Sequence, residues 1–174
     1  MFEQLRPFKK IMVTGPQRSG TTICARMIAH DLNLRYIDED DVGWKSASVM
    51  DENALCRLFQ FETGFVVQAP AAAHVCHQFS AEDTAIVFMI RNINDIIASQ
   101  TRIGWKYESI ELSKYGAAHG PIAQVKYEYW REVQKPQIIH PFEIHYKSLA
   151  THPLWVPKAE RSNFKPRQYR RTEQ

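Results

Sequence analysis

The amino-acid sequence predicts an α/β fold in three layers, a mostly parallel central sheet flanked by helices. Three observations predict it. Short runs rich in β-branched and aromatic residues alternate with stretches of helical period. The run Thr84 to Ile90 (TAIVFMI) is apolar throughout, as a strand covered on both faces is. A glycine-bounded loop, Gly15 to Gly20, joins the first such run to the first periodic stretch. The 174 residues, 44% of them hydrophobic at a mean hydropathy of −0.40, suit a single domain over residues 1–174 with one continuous core.

Each element has its own justification. Lys10 to Thr14 is a short apolar run that stops at Gly15, a strand. Beyond the loop, Ile23, Cys24, Met27, Ile28 and Leu32 recur at helical spacing. Leu34 to Ile37 reads as a second strand, ending in the acidic cluster Asp38-Glu39-Asp40-Asp41. Asp51 can cap a helix over Glu52 to Phe61, which places Leu55, Leu58 and Phe59 on one face. Phe65 to Pro70 and Thr84 to Ile90 suit the interior of a parallel sheet, with Ala71 to Phe79 expected to be helical between them. Ile93, Ile96 and Ile97 form the inner stripe of a further helix, with Ser99 on a different face. Gly104 to Gly120 has no clear period and reads as a long surface excursion. Pro121 then opens a helix with the buried stripe Ile122, Val125, Tyr129 and Val133, ended by Pro136. A last strand runs through Phe142 to Tyr146, and Pro141, which has no N–H to donate, places it at an edge.

Composition narrows the partners. The net charge of +3, from 22 basic and 19 acidic residues, is too mild for a dedicated nucleic-acid binder. The basic excess gathers in the tail, residues 158–174, which can either lie solvated or close over an anion. Cys24, Cys56 and Cys76 are odd in number and form no CxxC pair, so reduced buried thiols are expected rather than disulfides or a zinc site. No run approaches membrane-spanning length and MFEQLRPFKK lacks a signal peptide's apolar core, so a cytoplasmic protein without a membrane partner is expected.

The loop carries the chemistry. Gly15-Pro16-Gln17-Arg18-Ser19-Gly20-Thr21-Thr22 fits GxxxxG followed by two hydroxyl residues, between a strand and a helix. Successive amides in such a P-loop point at an anion, and the following helix adds its positive dipole end. Phosphate is the natural occupant, which makes Gly15, Gln17, Arg18, Ser19, Gly20, Thr21 and Thr22 the candidate nucleotide-binding residues. Nucleotide-hydrolysing P-loops place Lys after the second glycine, where it reaches the phosphates. Here Thr21 stands there and the nearest cation is Arg18, while TAIVFMI runs into Arg91 rather than into an acid suited to Mg2+. No metal is expected.

Pro16 to Thr22 resembles the phosphosulfate-binding loop of the sulfotransferases that use 3'-phosphoadenosine 5'-phosphosulfate (PAPS), in which Lys or Arg precedes Ser-Gly-Thr-Thr. Val87 to Ser99 (VFMIRNINDIIAS) is similar to that family's strand ending in Arg-Asn-Pro-x-Asp, with Ser eight residues after the Arg. Ile144 to Leu149 faintly resembles its Tyr-Glu-Asp-Leu strand end. The resemblance implies a P-loop fold, PAPS as donor, Arg91 and Ser99 on its 3'-phosphate, Thr21 and Thr22 on its 5'-phosphate, and Arg18 at the bridging oxygen. From the residues alone, Arg91 can equally pair with Asp95 at a helix start.

The chain also departs from the family. Ile93 replaces the usual Pro, Gln68-Ala69-Pro70 stands where cytosolic members carry Lys-Thr-His, and the Arg-Lys-Gly loop is absent, with Arg161, Asn163, Phe164 and Arg167 able to serve instead. A general base is then sought in the acidic cluster, Glu39 first and Asp38 and Asp40 next, because some relatives place a Glu there; His74 and His77 are the runners-up. Arg102, Trp105, Lys106 and Tyr107 are candidate contacts to a small-molecule or carbohydrate acceptor. Two other readings share the fold: a small P-loop nucleotide kinase, and a non-catalytic adenosine-phosphate-binding protein.

Overall fold

The computed structural model describes residues 1–42, 51–116 and 118–156. Among the described residues five strands form one sheet in the order β2-β3-β1-β4-β5, and every neighbouring pair is parallel. They are β1 (Lys10–Thr14), β2 (Arg35–Ile37), β3 (Phe65–Gln68), β4 (Thr84–Ile90) and β5 (Pro141–His145). The helices are α1 (Thr21–Leu32), α2 (Glu52–Phe61), α3 (Ile93–Arg102), α4 (Glu108–Ser113) and α5 (Ile122–Tyr129). The α/β prediction holds, with the sheet parallel throughout.

Strand alternation divides the core in two. Ile11, Val13, Val66, Ala85, Val87 and Met89 pack with Cys24, Met27 and Ile28 of α1. Met12, Phe65, Val67, Ile86 and Phe88 face the other way, onto Leu55 and Leu58 of α2 and onto Trp130, whose ring stacks on Phe88 at 4.4 Å. Both faces of the central strands are covered, which is why their sequences are apolar without a period of two. β5 is the edge that Pro141 implied.

Several local expectations need correction. Ala71 to Phe79 forms two short 3-10 turns, Pro70–Ala72 and Cys76–Phe79, in place of one helix. The buried face of α3 is Ile96, Ser99 and Gln100, whereas Ile97 is exposed, so Ser99 shares the inner face instead of opposing it. After Tyr129 the helix widens into a π-turn, Trp130–Gln134, which brings Trp130 inward and leaves Val133 exposed. The excursion 104–120 contains α4 and the buried carboxylate of Glu111. Cys24 and Cys76 are buried free thiols, but Cys56 is exposed. No helix among the described residues is long and apolar enough to cross a membrane. The tail 158–174, with Arg161, Asn163, Phe164 and Arg167, lies outside the described residues.

Candidate anion-binding site

The loop between β1 and α1 is shaped by three left-handed residues, Gly15 (φ 133°), Arg18 (φ 72°) and Gly20 (φ 103°). Only glycine adopts such angles freely, so Arg18 is held there at a cost of about 1–2 kcal/mol. A Cβ on Gly15 would lie 3.2 Å from the Met89 backbone, and one on Gly20 would lie 2.5 Å from the Tyr146 ring. Both glycines thus let neighbouring chain press on the loop.

The N-cap of α1 is Gly20, which has no side chain to cap the helix. Its first bond from the loop runs from the Cys24 amide to the Gly20 carbonyl at 3.1 Å, so the amides of Thr21, Thr22 and Ile23 precede the first helical bond and remain donors for a ligand. The Ser19 hydroxyl is buried without a partner among the described residues. Thr21 is buried at the start of the helix. Thr22 donates its hydroxyl to the Gln68 carboxamide at the end of β3.

Arg91 reaches the loop because of register. β4 and β5 run in parallel with Ile90 opposite His145, so Arg91 and Tyr146 leave the two strand ends side by side. The Arg91 guanidinium lies 4.2 Å from the Tyr146 ring centroid, and its Nη1 donates to the Arg18 carbonyl at 2.8 Å. Tyr127 fixes the Arg91 main chain twice, accepting from its amide at 2.7 Å and donating to its carbonyl at 2.8 Å. The Arg91 Nε has no partner among the described residues. Asn92, not Arg91, caps α3, accepting from the amides of Asn94 and Asp95, so the pairing with Asp95 that the sequence allowed is not formed.

Ser99 comes to the same place: Arg18 Nε donates to its hydroxyl at 3.2 Å. Among the described residues neither Arg18 nor Arg91 pairs with a carboxylate. Although much of Arg18 is exposed, desolvation of its head group holds its pKa below the usual value, and the charges of Arg102 and Arg91 push it the same way. Positive charges gathered without a counter-charge create a field that favours an anion.

The other predicted residues are distributed around this centre. The Gln17 side chain is committed to Lys126 at 2.6 Å, while its carbonyl accepts from Gln100 at 3.3 Å. Asp38 is buried and accepts from the Tyr36 hydroxyl at 2.7 Å. Glu39 is half-buried, and its charge is felt by Lys126. His74 faces Glu52 at 3.4 Å and burial lowers its pKa, whereas His77 contacts Gln134 at 3.5 Å. Trp105 and Lys106 line an open cleft of about 790 Å³ with Ile97, Gln100, Thr101 and Leu112. Gln100 is the wall that this cleft shares with the loop.

Sequence reasoning missed Gln68, Gln100, Lys126 and Tyr146 as parts of the site. Only Lys126 carried a signal, a lysine four residues after Ile122 and four before Trp130, on the buried face of its helix. A second cluster, His30, Asp31 and His152, lies at the far end of α1. There the Leu154 amide donates to His152 Nδ1 at 3.1 Å, so the proton of the neutral ring is on Nε2, which donates to Asp31 at 3.0 Å. In that tautomer the ring ties the two segments by hydrogen bonds.

No family model matches the chain, and no curated protein matches its sequence. Solved structures share its fold. The shikimate kinase of Acinetobacter baumannii, in complex with shikimate, is 13% identical with a TM-score of 0.59, over 85% of this chain and 92% of that one. The shikimate kinase of Bacteroides thetaiotaomicron is 19% identical with a TM-score of 0.50, over 78% and 85%. The chain has the P-loop fold of these enzymes.

Proposed function

We propose that the chain is a transferase that uses PAPS as its donor and moves a sulfuryl group to a hydroxyl or amine of a small or carbohydrate acceptor. The observation that supports it is the convergence of Arg91, Arg18 and Ser99 beside the glycine loop, which in this reading forms a second anion site where a mononucleotide P-loop needs only one. In this reading the amides of Thr21 and Thr22 bind the 5'-phosphate, and Arg91 and Ser99 bind the 3'-phosphate.

The donor supplies an activated sulfuryl group on a bridging oxygen. Arg18 stabilises the negative charge that develops on that oxygen as its bond to sulfur breaks. The cleft beside Gln100 holds the acceptor in line, and Glu39 takes the proton that the acceptor loses. Adenosine 3',5'-bisphosphate leaves as the other product.

A small P-loop kinase is the second reading, supported by the shared fold with the shikimate kinases over most of both chains. Kinases of this fold bring Mg2+ to a loop hydroxyl whose neighbour is a carboxylate, and a loop lysine to the phosphates. Here the Thr22 hydroxyl is bonded to an uncharged carboxamide and Thr21 replaces the lysine. The residues present do not fit that ion. Calorimetry separates the readings. Adenosine 3',5'-bisphosphate is expected to bind more tightly than AMP or ATP with Mg2+, and preference for ATP with Mg2+ would replace the first reading by the second. Binding without PAPS consumption across sugars, phenols and amines would leave a non-catalytic nucleotide binder.

A further inference from the structure

Among the described residues Lys126 is the buried member of the lysines and arginines, at 1% exposure. It follows Ile122 and precedes Trp130 at helical spacing, on the inner face of α5. An ammonium has three protons, and here three acceptors take them: the fully buried Glu111 carboxylate, Gln17 Oε1 at 2.6 Å and the Pro70 carbonyl at 3.3 Å. Burial lowers the lysine's pKa, while Glu111 and Glu39 act to raise it. Glu111 also accepts from Lys114 at 3.0 Å. One side chain therefore ties α4, the exit of β3 and the glycine loop to a single point.

The loop needs such ties. Arg18 sits at a positive φ, which no local propensity maintains. The residue before it, Gln17, is gripped at its side chain by Lys126 and at its carbonyl by Gln100. Because the three donors of Lys126 are all used within the protein, it acts on an anion through Gln17 rather than by touching it.

We propose that Lys126 is the positioning residue of this loop. By fixing Gln17 it sets the backbone of residues 17–18 and so aims the loop's donors at a phosphate or sulfate ester. It does from α5, as a strut, part of what a loop lysine does by contact in P-loops that keep one. This rests on the anion-binding part of the proposed function and adds the residue that gives the loop its shape.

Four variants test it: Gln17→Ala, which leaves the buried ion pair intact; Lys126→Gln with Glu111→Gln, which removes both charges at nearly constant volume; these three substitutions combined; and Lys126→Arg. Each is titrated calorimetrically with adenosine 3',5'-bisphosphate and with inorganic pyrophosphate, with a thermal melt as the control for folding. Gln17→Ala is expected to weaken both ligands about tenfold with little change in melting. The combined variant is expected to lose no more than the pair variant, because both act through one contact, and Lys126→Arg is expected to restore part of the affinity. Folded variants that bind both ligands within twofold of wild type would overturn the inference alone, as would independent, additive losses. Wild-type protein that binds neither ligand would overturn it together with the anion-binding reading. Pyrophosphate binding that weakens as described, without bisphosphate binding, would keep the strut and remove the nucleotide assignment.

Discussion

Arg91 Nη1 donates to the carbonyl oxygen of Arg18 at 2.8 Å, although 73 residues separate the two. The bond brings two guanidinium groups to one side of the glycine loop, where Ser99 holds the second of them. Replacing Arg91 by Ala is expected to lower affinity for adenosine 3',5'-bisphosphate about 10- to 100-fold, the effect of losing a charge-assisted contact. Arg91→Lys is expected to recover little, since an ammonium cannot present the planar fork. Isothermal titration measures both, and unchanged affinity in a folded Arg91→Ala protein would remove this residue from the site.

Gly20→Ala is expected to destabilise the protein by about 2–4 kcal/mol, from an unfavourable φ together with overlap on the Tyr146 ring. Gly64 also has a positive φ but nothing within 4 Å, so Gly64→Ala should cost only about 1 kcal/mol. Urea unfolding of the two variants gives the difference directly, and equal losses would show that the ring does not bear on the loop.

Gln68→Glu places a carboxylate on the Thr22 hydroxyl, close to where an anion would sit. The like charge is expected to weaken bisphosphate binding severalfold at low ionic strength, and less as salt screens it. A titration series in salt tests this; affinity that rises on substitution would mean that the site works with a cation at this position.

The Lys10–Asp83 pair, 3.0 Å apart, holds the Asp83 carboxyl below its usual pKa, chiefly through the hydrogen bond from Lys10. A depressed carboxylate stabilises the fold fully above its unfolded pKa and loses that contribution as pH falls through the folded value. Stability should therefore decline from roughly pH 4 downward by a few tenths of a kcal/mol, since the carboxylate is half exposed and screened by solvent. Chemical unfolding across that range in wild type and Asp83→Asn checks it. Identical acid limbs would assign the decline to other carboxylates.

The strands were readable from sequence because burial on both faces leaves only apolar residues in them, and Asp51 named its own helix by capping it: its side chain accepts the Ala54 amide. The loop and Arg91 were readable because their spacing reflects local backbone chemistry. What could not be read was set by contacts between distant segments. Glu111 looks like a surface residue until α4 and α5 enclose it, and Lys126 showed itself only by its spacing from Ile122 and Trp130. Val133 fitted a regular helical stripe, but the π-turn at 130–134 shifts the register by one residue and turns it out. Ile97 was placed on the inner stripe and Ser99 off it, but Ile97 is exposed and Ser99 is buried with Ile96, where Arg18 donates to its hydroxyl.

Tyr146 belongs to the last strand's exit, yet its ring rests on Gly20 near the start of the chain and supports the head of Arg91. A ribosome that has released only the first four strands has made the whole glycine motif without the surface that shapes it. The shape of the loop is thus tied to completion of the sheet, and a nascent or truncated chain ending before Pro141 would carry the glycine motif without the ring that packs on it.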